Sequence, residues 1–273
     1  MDVRPATEDD GAGIAAVRDA IGGQHDDSGS DAGYRAHLLE HGRLFVAVRG
    51  GEVAGFGASR DIGGHRLLSD LFVRPDLHGS GVGGALLAAV LDGADLRFTF
   101  SSTDPRALPL YARAGMRALW PLLYLRGAAP ATGQGEPVDV DAAPADEVAA
   151  VEQGITGVDR LIEHRYWAAR RGATAAIVSV SGRAVGAASF VRRGDEGRVE
   201  HRAVEDGVDA GAVVAAIAER SGAPVLRAFV PGPQPLLAWL LDRRFVIDDL
   251  DTFMATDAAA VPDRLAVVHP GLA

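Results

Sequence analysis

The stretch Leu71-Phe-Val-Arg-Pro-Asp-Leu-His-Gly-Ser-Gly-Val-Gly-Gly-Ala-Leu-Leu87 decides how this chain is read. An apolar strand ends at Val73, a turn follows at Arg74-Pro75, and glycines at 79, 81, 83 and 84 lead into an apolar helix. The pattern places bare backbone N–H groups at a helix N-terminus, where the helix dipole also favours negative charge. Such a turn holds a phosphate or a pyrophosphate. Reading it as a mere tight turn is poorer, because glycines ahead of a helix otherwise waste stability.

Composition narrows what that phosphate belongs to. The 273 residues suffice for one large or two medium domains, and 48% hydrophobic content supports a real core. There is no cysteine, which excludes disulfides, thiolate nucleophiles and cysteine metal sites. There is no lysine either, so all 27 basic residues are arginine. That removes the phosphate lysine of a Walker loop and any Schiff-base chemistry. The net charge of −10 argues against a nucleic-acid partner and is compatible with cationic amines. No apolar run is long enough for a bilayer, and the N-terminus has no signal-peptide core, so no membrane partner and a cytoplasmic location are expected. The histidines show no metal-ligand spacing, so no metal is expected.

Composition shifts at Gly127 to Pro137, which reads as a linker. Before it, the order is strand 2–5, helix 7–21, loop 22–32, helix 33–41, strands 43–49, 52–61 and 65–73, helix 81–91, strand 96–101, helix 105–114 and strand 116–126. After it, the same order returns from Val138, with hairpin strands at 174–180 and 184–192 and a last strand at 245–255. Gly51-Glu-Val-Ala-Gly55 matches Gly182-Arg-Ala-Val-Gly186, as expected of a duplicated α/β unit. Residues 257–273 read as a packed tail.

Two motifs carry a resemblance to a known family. Leu71-Phe72-Val73 with His78-Gly-Ser-Gly-Val-Gly83 resembles the Gln/Arg-x-x-Gly-x-Gly/Ala turn of the Gcn5-related N-acetyltransferases (GNAT), with His78 in place of Gln or Arg. Asp104 to Met116, with Tyr111 inside it, resembles that family's Asn-x-x-Ala-x-x-Leu-Tyr-x-x-x-Gly-Phe segment, with Asp for Asn and Met for Phe. The resemblance spans residues 1–126. It implies an α/β (α+β) chain of two tandem GNAT-like domains, each a mixed, mostly antiparallel twisted sheet flanked by helices. The divisions are a GNAT domain at 1–126, the linker 127–137, and a degenerate GNAT-like domain at 138–273. In the second domain, Val204 to Gly211 replaces the glycine turn and Leu240 replaces Tyr111, so no cofactor is expected there.

The resemblance implies acetyl-CoA as co-substrate. His78, Gly79, Ser80, Gly81, Val82, Gly83 and Gly84 would grip its pyrophosphate. The backbone of Leu71, Phe72 and Val73 would pair with the pantetheine arm and polarise the thioester carbonyl. Tyr111 would protonate the leaving thiolate, unless it is only packing. Asp104 is read as touching the cofactor arm or, preferably, capping the next helix. Asp70 is read as the base or as a contact for a cationic substrate, against a plain surface carboxylate, with His65 a second candidate base. Trp120 and Tyr124 are better read as core than as channel walls, and Trp167 likewise. The expected activity is acetyl transfer to a primary amine of a small molecule or peptide by direct attack in a ternary complex. A non-catalytic acyl-CoA-binding module is the rival. The second half would shape the acceptor cleft or form an interface, which leaves room for a homodimer.

Overall fold

The computed structural model describes residues 1–22, 32–133 and 136–272. The loop expected at 22–32 falls almost wholly outside the described residues, as do linker positions 134–135. The first half runs β1 (Asp2–Pro5), α1 (Gly11–Ala20), α2 (Ala32–His41), β2 (Arg43–Arg49), β3 (Glu52–Ile62), β4 (His65–Val73), α3 (Val82–Leu91), β5 (Arg97–Ser101), α4 (Ala107–Arg113) and β6 (Arg117–Ala128). The second runs β7 (Val138–Ala142), α5 (Ala145–Thr156), α6 (Leu161–Ala169), β8 (Ala173–Val180), β9 (Arg183–Arg193), β10 (Glu196–Val204), α7 (Ala210–Ser221), β11 (Val225–Pro231), α8 (Leu236–Asp242), β12 (Val246–Ala255) and a short β13 (Leu265–Val267). The duplicated order is thus real. It extends to the β2–β3 and β8–β9 hairpins, whose turns Gly50-Gly51 and Ser181-Gly182 all have positive φ. Positive φ at both turn residues matches the twist of the flanking strands.

The strands form one sheet in the order β1-β2-β3-β4-β5-β12-β6-β11-β10-β9-β8-β7, with β13 on β10. Among the described residues only β4–β5 and β10–β11 are parallel pairs. The centre of the sheet is an exchange of last strands. β12 pairs with β5 from Thr252 opposite Ser101 to Ala255 opposite Phe98. β6 lies between β12 and β11, both from the second half. The sheet therefore runs without a seam through the end of β6, and Gly127 and Ala128, read as the start of a linker, are its last paired residues. Gly127 has to be glycine, since a Cβ would lie 2.5 Å from the Phe245 ring.

Apolar periodicity sets the layers. α3 buries Val82, Leu86, Leu87 and Val90, a single helical stripe, against β3 and β4. α1 and α2 bury Ile14, Val17, Tyr34 and Leu38 on the other face, where Trp167 of α6 joins them. A central cluster of Phe98, Phe100, Phe229 and Phe253 draws on both halves. The exchange makes a prediction. A fragment of residues 1–128 leaves β6 without either neighbour and bares β5, and unpaired edges promote association. It should elute as aggregate in size-exclusion chromatography, whereas a cooperatively melting monomer would show the exchange to be dispensable.

Each half has a bulge in its fourth main strand. In β3–β4, Ala58 faces Asp70 and Ser59 faces Leu68, which leaves Ser69 unpaired. In β9–β10, Val199 faces Phe190 and His201 faces Ser189, which leaves Glu200 unpaired. A bulge bends its strand. Accordingly, β4 leaves β5 after Leu68–Thr99, and β10 leaves β11 after Val199–Ala228. The outcomes differ. β13 fills the freed edge of β10, pairing Val267 with Arg202 and Leu265 with Ala203. The edge of β4 from Ser69 to Val73 opens onto a cleft.

Candidate active site

That cleft has a volume of about 1030 Å³ and lies between the open edge of β4, the N-terminus of α3 and α4. Its walls bring together Leu71, Phe72, Val73, His78, Gly79, Gly81, Val82, Gly83, Gly84, Asp104 and Tyr111. Ser80 shares the turn but not the wall, its hydroxyl donating to Leu77 O at 2.6 Å. Arg113, which the sequence reading passed over, lines the cleft as well.

The glycine turn is built as an anion cradle. Gly79 and Gly81 have φ of +78° and +87°, which a side chain would strain. Gly81 precedes α3, and no side chain caps the helix. The first N–H groups of α3 therefore lack the usual carboxylate or hydroxyl acceptor. A Cβ on Gly79, Gly81 or Gly84 would meet nothing within 4 Å, so the backbone faces open space. This fits a diphosphate.

β4 supplies the second wall. Arg74 N–H donates to Ala54 O on the β3 side at 2.9 Å. Strand alternation then turns the main-chain groups of Val73 and Leu71 to the open edge. His78 Nε2 donates to Val73 O at 2.9 Å, so its Nδ1 is the acceptor that meets Arg106. Asp104 accepts the Arg106 N–H at 2.8 Å and its guanidinium at 2.9 Å. Asp104 thus holds the turn that leads into α4 and does not cap the helix, which begins at Ala107 rather than Pro105 with Arg106 at the capping position and no side-chain cap. Hydrogen bonds from Arg106 hold the Asp104 carboxyl down to about 2.

Tyr111 is buried on α4, and its hydroxyl has no hydrogen-bond partner among the described residues. Burial, then the carboxylates of Asp251, Asp70 and Asp104, push this phenol well above its ordinary pKa. It carries its proton throughout the neutral range.

Asp70 is 7% exposed and does not line the cleft. Its carboxylate accepts from Arg18 Nη2 at 3.0 Å and from the Tyr34 hydroxyl at 2.8 Å. Arg18 in turn lies over Phe56 and Phe72. His65 sits at the opposite end of β4, against Asp257 at 3.2 Å. One acidic residue was missed: Asp251, on the exchanged strand β12, bonded to the Tyr124 hydroxyl. Its sequence setting, Asp248-Asp-Leu-Asp251, looks like a solvated edge, and the pairing of β12 with β5 brings it near Tyr111, though not onto the cleft wall.

The equivalent region of the second half is closed. Asp209 caps α7, accepting from Gly211 N at 2.8 Å and Ala212 N at 3.1 Å, so a fixed carboxylate occupies the place of an anion. Trp239 packs against Gly211, and Leu240, the counterpart of Tyr111, is fully buried. Arg202, the counterpart of Leu71, is also fully buried, and burial pulls it down to about 9 against the opposing pull of Asp209.

An uncapped, glycine-lined helix start, a strand with a free edge and a buried phenol thus meet on one cleft. Residues 40–116, from the end of α2 through α4 to Met116, match the family model of the acetyltransferase (GNAT) domain. No curated protein sequence matches the chain. Among solved structures, a presumed acetyltransferase from Pyrococcus horikoshii is similar over 99% of this chain and 95% of its own, at 16% identity and a TM-score of 0.78. A GCN5-related N-acetyltransferase from Anabaena variabilis is similar over 95% of this chain and 74% of its own, at 15% identity and 0.64. A tandem GNAT protein from the clavulanic acid biosynthesis pathway is similar over 96% of this chain and 99% of its own, at 15% identity and 0.64. Residues 40–116 thus resemble a GNAT domain, within a fold that the chain shares with tandem GNAT proteins. Among the described residues no helix is long and apolar enough to cross a membrane.

Proposed function

We propose that this protein is an acetyl-CoA-dependent N-acetyltransferase whose chemistry takes place in the first half alone. The observation that carries the reading is the convergence of the uncapped, glycine-lined start of α3, the free edge of β4 and the Tyr111 hydroxyl on one cleft. The N–H groups of the turn hold the pyrophosphate. The open edge of Leu71 and Val73 pairs with the pantetheine arm and orients the thioester. Arg113 and Arg106 are the cations on the wall that suit the remaining phosphate charge. The acceptor is a primary amine of a small molecule or peptide, which attacks the thioester directly. Tyr111 delivers its proton to the departing sulfur. Asp70, already paired with Arg18 and Tyr34, fixes α1 and α2 against β4 rather than exchanging protons.

The division of labour between the halves follows from Asp209 and β13. Each supplies from within the chain what a cofactor would supply from outside: an anion at the helix start and a partner for the strand edge. The protein works in the cytoplasm as a soluble enzyme without nucleic-acid or membrane partners, and a homodimer would pair through the second half.

Gly81→Val tests the reading. A β-branched residue at a φ of +87° strains the turn and puts methyls where phosphate would lie. Acetyl-CoA affinity in titration calorimetry should fall at least tenfold, with one equivalent bound per chain in the unsubstituted protein. Two equivalents, or none, would end the one-site reading. A panel of primary amines with detection of free CoA thiol then separates an enzyme from a binding module, since the latter binds acetyl-CoA and releases no thiol.

A further inference from the structure

The exchanged strand does more than complete a sheet. β12 lies beside β5 with Thr252 opposite Ser101, the last residue of β5. One step further along this register sets Asp251 against Ser102, which lines the cleft. Asp251 also faces Leu122 of β6, so its diagonal neighbours on the same face are Trp120 and Tyr124. Trp120 stacks on Phe253 with ring centroids 4.2 Å apart, and Tyr124 packs edge-on against Phe229 at 4.7 Å. Asp251 stays partly exposed in this aromatic setting, and the Tyr124 hydroxyl donates to one carboxylate oxygen.

We propose that Asp251, contributed by the second half, is the residue that binds the acceptor's ammonium group and takes the proton from its attacking nitrogen. The proposal rests on the acetyltransferase reading above and names what that reading lacks, a base. Three observations join in it. The strand register sets Asp251 beside Ser102, a wall residue of the cleft, although the carboxylate itself does not line that wall. It carries no arginine partner among the described residues, unlike Asp70. Of the charged groups around Tyr111, it acts most strongly on that hydroxyl, ahead of Asp70 and Asp104. The bond changes balance between these two residues. The amine nitrogen bonds to the carbonyl carbon, and the carbon–sulfur bond breaks with its electron pair on sulfur. The bound ammonium first passes one proton to water, which frees the lone pair that attacks; sulfur then receives the Tyr111 proton, the surplus nitrogen proton passes to the Asp251 carboxylate, and Asp251 returns it through water to the Tyr111 phenolate. The aromatic neighbours select an amine on an apolar or aromatic body, because a cation is also held by ring faces.

The titration of Asp251 supports the role. Burial raises its carboxyl to about 6, the Tyr124 hydroxyl bond opposes this, and Asp249 adds to it. The groups facing it are therefore Tyr124 from β6, Asp249 on its own strand and Tyr111 from α4. A base with that value is ready to accept a proton near neutral pH.

Benzylamine is the probe, in two measurements. In thiol release with acetyl-CoA, the unsubstituted protein should show kcat/KM rising with pH through a limb near 6, a value set by Asp251. Asp251→Asn should lose that limb and about 100-fold in kcat, with acetyl-CoA affinity unchanged. Tyr124→Phe should move the limb to higher pH, because the hydrogen bond that lowers the Asp251 value is gone; a merely structural role would not move it. In calorimetry without cofactor, benzylammonium affinity should fall at least tenfold in Asp251→Asn and survive in Asp251→Glu. Asparagine variants that keep both the limb and the affinity overturn the assignment. Benzylammonium binding that depends on Asp251, without thiol release from acetyl-CoA, instead overturns the acetyltransferase reading and leaves the amine site standing.

Discussion

Tyr111→Phe should lower kcat by roughly 10²- to 10⁴-fold while leaving acetyl-CoA affinity as it is. The hydroxyl bonds to no protein group among the described residues and faces the cleft. Removing it breaks no internal hydrogen bond, and the apolar ring keeps its packing with Leu87, Leu91 and Met116. Thermal stability should be unchanged within about 0.5 kcal/mol. The effect on turnover arises from charge. Burial and three carboxylates make this phenol a weaker acid than an isolated tyrosine. It is then also weaker than the thiol it serves, whose ordinary pKa is near 8.5. Its proton therefore moves only as negative charge grows on sulfur, along a hydrogen bond made in the transition state and absent from the ground state. Such an interaction lowers kcat and kcat/KM together when removed. Stopped-flow thiol detection with any accepted amine checks this. Unchanged turnover in the phenylalanine variant would show that water or the amine protonates sulfur, and that Tyr111 only packs.

The parts of the site that were legible in the sequence are those encoded locally. The glycine turn, the strand before it and the Tyr111 segment each read out within a dozen residues, because turn geometry and helix phase are short-range properties. What was not legible depends on which strands become neighbours. Alternation announces β6 and β12 as strands, but it does not say that each will leave its own half. The role of Asp251 is invisible for that reason. Asp70 shows the reverse failure. It reads as a carboxylate turned to substrate, but its partners Tyr34 and Arg18 lie 36 and 52 positions away and take up its charge. The C-terminal tail reads as apolar packing, whereas three of its residues act as the missing strand of the second cleft.

Glu152→Gln should be the most destabilising conservative change in the protein, at about 3–5 kcal/mol. Glu152, His164, His201 and Arg160 are essentially inaccessible to solvent. The carboxylate accepts from His164 Nε2 at 2.6 Å and His201 Nε2 at 2.9 Å, and it faces Arg160 Nε at 3.0 Å. An amide at this place loses the charge opposite Arg160 and turns an N–H toward groups that already donate. For a chain of this size the melting point should drop on the order of 10 °C. The pH dependence has a definite sign. Burial opposes ionisation of Glu152, but the two histidine bonds and Arg160 outweigh it and hold its pKa well below the usual range. A depressed carboxyl contributes stability that is present above its unfolded pKa, near 4.3, and lost as pH falls below it. Burial lowers His201 in the same fold, which favours its neutral form, so that residue also costs stability once the unfolded chain takes up protons below about pH 6.5. The unsubstituted protein should therefore lose melting temperature steadily from pH 7 to pH 4, and the glutamine variant should lose less over the carboxyl range below pH 5. Calorimetric scans at three pH values decide it, and a variant within about 2 °C of the unsubstituted protein at pH 7 would show that the buried charge network contributes little. The network's position explains why the protein keeps it. Glu152 is the eighth residue of α5 and His201 the sixth of β10, as Arg18 is the eighth of α1 and Asp70 the sixth of β4. One duplicated pair of positions thus holds a helix to a bulged strand in both halves, with donor and acceptor exchanged. Through Arg160, Glu163 and Arg60 the second network reaches β3 of the first half. Weakening it should loosen the seating of the half that carries β12, and with it Asp251.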